Sequence, residues 1–315
     1  MSHIPLPALR ADSPIAFLAA LGTLRVLDGV RHEWKPRLRW INNGGWIPEL
    51  SVLGNNSLEE VSSALASKLT NRAAAPEFGW ADVIDGPPEL FHVKAGEALE
   101  AATISHRETV DFFAAFAADG AKTGSEKKTK PTDFCMTTGK QKFLEGMRAI
   151  TANLASLPKS DEAPLAERIQ AALTGPWQYA DNQHSLGWDP TNEPVHALGA
   201  YDPSGAGKKT SVREVVYLAA EALSLFPVFA RFGRLRTTGF HPDENRQPWF
   251  HWPIWEPELS LRSVRSLLQL SELAHPSENE LQLRTRGIRA VYRSRRHDFA
   301  KGYGIFRPAQ LVIGG

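Results

Sequence analysis

The sequence predicts an α+β fold, helices mixed with antiparallel hairpins and no regular parallel βαβ sheet, on three observations. A helix signal at the start is followed at once by a hairpin signal. Later helix-like and strand-like runs succeed one another without strand–helix–strand alternation, and no internal repeat is found. With 315 residues, 42% of them hydrophobic, the chain has enough apolar material for one large domain or two ordinary ones.

The elements follow in order. Ser13 suits an N-cap, Pro14 a first turn, and Ile15, Leu18, Leu21 and Leu24 recur at near-helical spacing until Asp28-Gly29. Arg37–Ile41 and Trp46–Leu53 read as strands joined by Asn42-Asn43-Gly44-Gly45, residues that tolerate the positive φ of a tight turn. Ser57 and Glu60 have capping-box spacing, and Leu58, Val61, Leu65 and Leu69 give the next helix its apolar stripe. Between Ala73 and Gly96, Pro, Gly and Asp suggest loops with a short strand at Leu90–Val93. A buried helix is expected from Arg107 through Thr109–Ala118, then a mobile basic loop over 121–132 with Lys122, Lys127, Lys128 and Lys130.

Lys140–Leu154 is helix-like, and Pro158–Pro164 is the natural break between an N-terminal half (1–157) and a C-terminal half (165–315). The second half reads as a helix at Leu165–Leu173, strand and turn over Trp177–Ala200, and a polar run at Asp202–Ser211. There follow a helix at Val212–Phe226, strand over Val228–Phe240, an aromatic segment at Trp249–Trp255, a helix at Leu261–Leu273 and a short strand at Ile288–Tyr292 before a basic tail.

Composition excludes several classes. No stretch approaches the roughly 18 unbroken apolar residues of a membrane helix, and the first residues do not read as a secretion signal. Cys135 is the only cysteine, which removes internal disulfides and Cys-pair metal sites and fits a reducing cytoplasm. Formal charge is +1, from 36 Lys and Arg against 35 Asp and Glu, so a uniformly basic nucleic-acid binder is not expected. The charge is nevertheless uneven: Arg284–Arg307 holds eight basic residues and one acid, Asp298.

The motifs argue against catalysis. Gly205–Ser211 resembles a phosphate loop but has Asp202 and Lys209 where that motif needs Gly and Ser or Thr, so it reads as a polar loop whose Lys208 and Lys209 are free to meet a phosphate. The ten histidines include no close pair suggesting a metal, and no cofactor motif is found. Asp181, Asp189 and Glu193 lie near His184 and would form a catalytic set only if folding converged them. Trp249, Trp252 and Trp255 recur every third residue among prolines and are expected in the core.

The residues expected to bind nucleic acid are thus Lys122, Lys127, Lys128, Lys130, Lys208, Lys209, Arg213, Arg289, Arg293, Arg295 and Arg296. Strand alternation would put Arg289, Val291 and Arg293 on one face. Asn182 and Gln183 have side-chain amides able to pair with a base edge.

Several segments together resemble the large-subunit-like proteins of type I CRISPR interference (Cascade) complexes, of the subtype I-G, formerly I-U. They are Asp12–Gly22 with Arg25, Trp188-Asp189-Pro190, Ala200–Ser204, Leu218–Leu223 with Phe226-Pro227, and Trp252–Trp255. The resemblance implies a subunit assembled beside a guide RNA and other effector subunits, contacting target DNA and its flanking motif, with cleavage left to a separate helicase-nuclease. A metal-dependent nuclease or hydrolase, and a structural adaptor docking its basic segment on an acidic partner, are the competing readings.

Overall fold

From the N-terminus the chain forms β1 (Ser2–Pro5), α1 (Pro14–Val30), β2 (Arg37–Asn42), β3 (Trp46–Val52), α2 (Leu58–Leu69), α3 (Pro76–Gly79), α4 (Pro88–Ala101) and α5 (Glu108–Phe116). Then come β4 (Ala117–Thr123), β5 (Lys128–Pro131), α6 (Phe143–Ala155), α7 (Leu165–Thr174), α8 (Arg213–Glu221), β6 (Val228–Arg231), β7 (Arg234–Thr237) and β8 (Phe240–Pro242). The last elements are β9 (Pro248–Trp255), β10 (Leu259–Ser260), α9 (Leu261–Leu268), α10 (Glu280–Thr285), β11 (Ile288–Phe299), β12 (Tyr303–Phe306) and β13 (Gln310–Ile313). The computed structural model describes residues 1–69, 72–103, 107–123, 128–136, 142–156, 162–179, 181, 186–192, 211–299 and 303–314. Every strand pair among them is antiparallel, which makes the fold α+β.

The local signals at the start do what their chemistry dictates. The Ser13 hydroxyl accepts from the Ala16 N–H, and Pro14 sits in the first turn of α1. Gly44 and Gly45 turn β2 into β3 at φ 66° and 140°. Ser57 and Glu60 close a reciprocal capping box at 2.7 and 3.2 Å ahead of α2.

Helix α1 is buried from Pro14 to Leu27 and connects two sheets. One has the order β1-β3-β2-β10; in the other β8, β9 and β11 pair in turn, and β12 and β13 both pair with β11. Phe17 is the joint: its ring centroid lies 5.9 Å from Trp40 on β2, and 6.0 and 6.4 Å from Trp252 and Trp255 on β9. The two indoles are fully buried, and each donates its N–H to a main-chain oxygen, Trp252 to Ala11 at 2.8 Å and Trp255 to Leu38 at 2.9 Å. On its other side α1 meets α8 at Gly22, where a Cβ would fall 1.7 Å from the Leu218 carbonyl oxygen. Elements from both sides of residues 158–164 therefore share one core, and β10 completes the first sheet by pairing with β2.

A charged cluster is buried beside this helix pair. Arg25 and Arg72 both donate to Glu221, Arg72 also to Glu77, while Arg25 and Lys68 reach Glu108 at 3.0 and 2.5 Å. Burial alone would lower the Arg72 pKa and raise that of Glu108. The opposite charges outweigh it, so Arg72 is raised and Glu108 held down at about 2. Three cations face three carboxylates, a self-neutralised arrangement that holds α1, α2, α5 and α8 together.

Several expectations need correction. Leu90–Val93 is helix, within α4: Pro88 suits its first turn, and the Glu, Leu and Ala that follow are good helix formers. Residues 121–132, expected as a mobile loop, form a β-hairpin where described, because Thr129 is buried between exposed Lys128 and Lys130 and its N–H donates to the Gly86 oxygen at 3.0 Å. The basic tail after Ile288 is an interior strand: β11 runs to Phe299 with β9 on one side and β12 and β13 on the other. Its register shifts between Ile288 and Ala290 and again at Val291/Tyr292, so Ala290 and Val291 are both buried and the expected alternation of Arg289, Val291 and Arg293 is broken. Among the described residues no helix is long and apolar enough to cross a membrane.

Candidate nucleic-acid interface

The residues expected to bind nucleic acid are distributed unevenly over this scaffold. Lys127, Lys208, Lys209, Asn182 and Gln183 lie outside the described residues, as do His184 and Glu193, and Lys122 is described only as main chain on β4. Arg213 borders a separate cavity. At the start of α8 it donates to Asn153 and, at 3.2 Å, to Glu162, with Asp181 at 3.4 Å, so its charge is spent within the fold. Arg289 is paired with Glu256 at 2.5 Å. Arg293 lies over Trp249, its guanidinium carbon 4.3 Å from the ring centroid, and donates to Gln310 at 3.2 Å. Arg295 is partly exposed with no carboxylate within ion-pair distance among the described residues.

Lys130 and Arg296 are brought together. They line one groove of about 250 Å³ with Arg236 and Arg246, which sequence reasoning missed, and with Asp133 and Asp298. Each cation comes from a different element. Lys130 is on β5, Arg236 on β7, Arg246 in the β8–β9 connection and Arg296 on β11. Asp298 is engaged by Arg296 at 2.9 Å, and Arg296 also donates to the main-chain oxygen of Asp133 at 2.9 Å.

Local sequence explains the convergence. The β6–β7 hairpin turns at Phe232-Gly233, both at positive φ (51° and 70°), a two-residue turn whose twist suits antiparallel strands. That hairpin packs on β4, and the Asp133 N–H donates to the Thr237 hydroxyl at 3.0 Å, tying the two hairpins together. The β8–β9 connection is closed by Asp243, whose N–H donates to the Gln247 oxygen at 3.0 Å, whose Oδ1 accepts the Gln247 N–H at 2.8 Å and whose main-chain oxygen accepts the Arg246 N–H at 2.8 Å. Arg246 sits there in the left-handed region at φ 61°. The outer hairpin adds exposed Arg231 and Arg234, and beside them Phe229 and Phe232 are 53% and 91% exposed. A signal existed in Arg231-Phe232-Gly233-Arg234-Leu235-Arg236, where basic residues flank a glycine turn within what reads as one long strand.

Chemically the groove sets four cations, Lys130, Arg236, Arg246 and Arg296, beside the carboxylates of Asp133 and Asp298. Of the carboxylates near His184 in sequence, Asp189, raised by burial, accepts from the Thr191 N–H and hydroxyl at 2.9 and 2.8 Å, and Asp181 pairs with Ser211 through the main chain and lies 3.4 Å from Arg213. Among the described residues no group of three or more His, Cys, Asp or Glu side chains is placed to hold a metal ion. Next to the groove, burial pushes the His241 imidazole down to about 4, with His251 and His275 adding to the effect, so it is neutral at physiological pH. His251 donates through Nδ1 to the Leu273 oxygen at 2.7 Å, and burial lowers its pKa also. Compared with protein-family models and with curated protein sequences, the chain matches none.

Proposed function

We propose that the chain is a non-catalytic nucleic-acid-binding subunit of an RNA-guided CRISPR interference complex, working in the cytoplasm beside a guide RNA, target DNA and other effector subunits. The observation that carries the binding part is the groove, where Lys130, Arg236, Arg246 and Arg296 from four separate elements face two carboxylates, one of them already engaged. Such a cluster on a body of net charge +1 suits one polyanion-facing surface on an otherwise neutral protein. The assembly part rests on the resemblance of Asp12–Gly22 with Arg25, Trp188–Pro190, Ala200–Ser204, Leu218–Leu223 with Phe226-Pro227, and Trp252–Trp255 to type I large-subunit-like proteins. In that setting base pairing reads the target, and a separate helicase-nuclease cuts it. Asn182 and Gln183 remain the proposed readers of the flanking motif.

Purification of the chain together with the products of its neighbouring genes tests the assignment. A complex carrying bound small RNA is the expected outcome. A chain that elutes alone and free of nucleic acid, and binds none when it is supplied, would contradict the assignment.

A further inference from the structure

A second cavity, of about 480 Å³, adjoins the basic groove: Arg236, Thr237, Phe240 and Pro242 line both. Its remaining walls differ in character from the groove. Phe229 on β6 presents a half-exposed ring, Leu268 and Leu270 at the end of α9 add an apolar surface, and Arg231 stands at the hairpin edge. Thr238, His241, Gln269 and Ser271 supply the polar part. The volume lies within the range of about 300–1,000 Å³ typical of small-molecule sites.

We infer that this cavity takes one unstacked base of a single strand whose backbone lies in the groove, with Phe229 as the stacking face. The inference rests on the nucleic-acid reading of the groove. Three features lead to it. Sites for single strands combine cations that follow the backbone with aromatic faces that receive bases, and here both are joined through Arg236, common to the two cavities. Arg231 and Arg236 flank the cavity and would hold the phosphates on either side of a base turned inward. The histidine that lines it, His241, is a neutral imidazole, a ring that carries one donor and one acceptor. A paired base within a duplex stack could not enter, so the site favours single strands.

Photocrosslinking with single-stranded oligonucleotides carrying 5-iodouracil, mapped by mass spectrometry, tests this on the full chain at low ionic strength. The expected result is a crosslink at Phe229, lost in Phe229→Ala, together with single-strand binding weakened by about five-fold or more and duplex binding unchanged. Phe229 is half exposed, and an unchanged melting temperature of the variant would show that its fold is intact. Crosslinks confined to other residues, with Phe229→Ala binding like the parent, would overturn the base pocket and leave the groove standing. Absence of any single-strand or duplex binding would overturn both.

Discussion

Arg296 on β11 donates to the main-chain oxygen of Asp133 at 2.9 Å, directly after the hairpin that carries Lys130, and this contact joins two basic segments far apart in sequence. The same guanidinium holds Asp298 at 2.9 Å and so removes one of the two acids that would oppose a phosphate in the groove. Basicity that looks like a tail in the sequence is thereby built into the interior of a sheet.

The groove and the structural arginines are expected to separate on mutation. Arg213→Ala breaks contacts to Asn153, Glu162 and Asp181 and should cost about 1–3 kcal/mol of stability, read from urea unfolding, with nucleic-acid affinity unchanged. Equal loss of affinity in a variant that unfolds like the parent would return Arg213 to the binding surface.

Gly22 is the point of closest approach between α1 and α8, and the Leu218 main chain leaves no space for a methyl group. Gly22→Ala should destabilise by about 3 kcal/mol or more, since the obstacle is backbone and cannot rotate away. A variant with the parent's denaturation midpoint would mean that the two helices do not pack this way.

Removing the carboxylate at Glu221 leaves Arg25 and Arg72 buried without it. Glu221→Ala should cost about 3–5 kcal/mol, and Lys68→Ala, which removes a partly exposed partner of Glu108, much less. Thermal melts of the two variants side by side check the ranking.

Acid should weaken the fold in two stages. His241 has a folded pKa depressed from 6.5 to about 4, so the unfolded chain binds more protons between those values and stability falls as pH drops through that window. Glu108 is likewise depressed, from 4.5 to about 2, and its contribution is lost as pH falls further through that lower range. His241→Gln should shrink the upper stage in unfolding experiments across a pH series, leaving the part that His251, also lowered by burial, contributes. An upper stage of undiminished size in the variant would assign it to another group.

What the sequence makes legible follows from how local each signal is. The cap at Ser13, the glycines of the β2–β3 turn and the Ser57/Glu60 box each act within a few residues, and each element formed where they point. Trp252 and Trp255 lie in the core as expected, whereas Trp249, expected with them, is only partly buried and lies beneath Arg293. The length of β11 was hidden because alternation fails at its bulges and arginines crowd its second half. The β6–β7 hairpin was hidden because its turn places Phe232 at positive φ, where Asn or Asp is usual. Lys130 and Arg296 could be named as candidates from charge alone. Arg236 and Arg246 join them only through the pairing of β8 with β9 and the packing of two hairpins, contacts that no local pattern encodes.

The most direct test of the groove is the salt dependence of nucleic-acid binding by the parent and by Lys130→Ala/Arg236→Ala/Arg246→Ala, a triple variant that leaves the Arg296–Asp133 contact in place. Binding should weaken on every sequence alike, and the slope of log affinity against log salt should become shallower by about two to three units, with any flanking-motif preference retained. Parallel salt lines and equal affinities for the two folded proteins would contradict the assignment of this groove to phosphate.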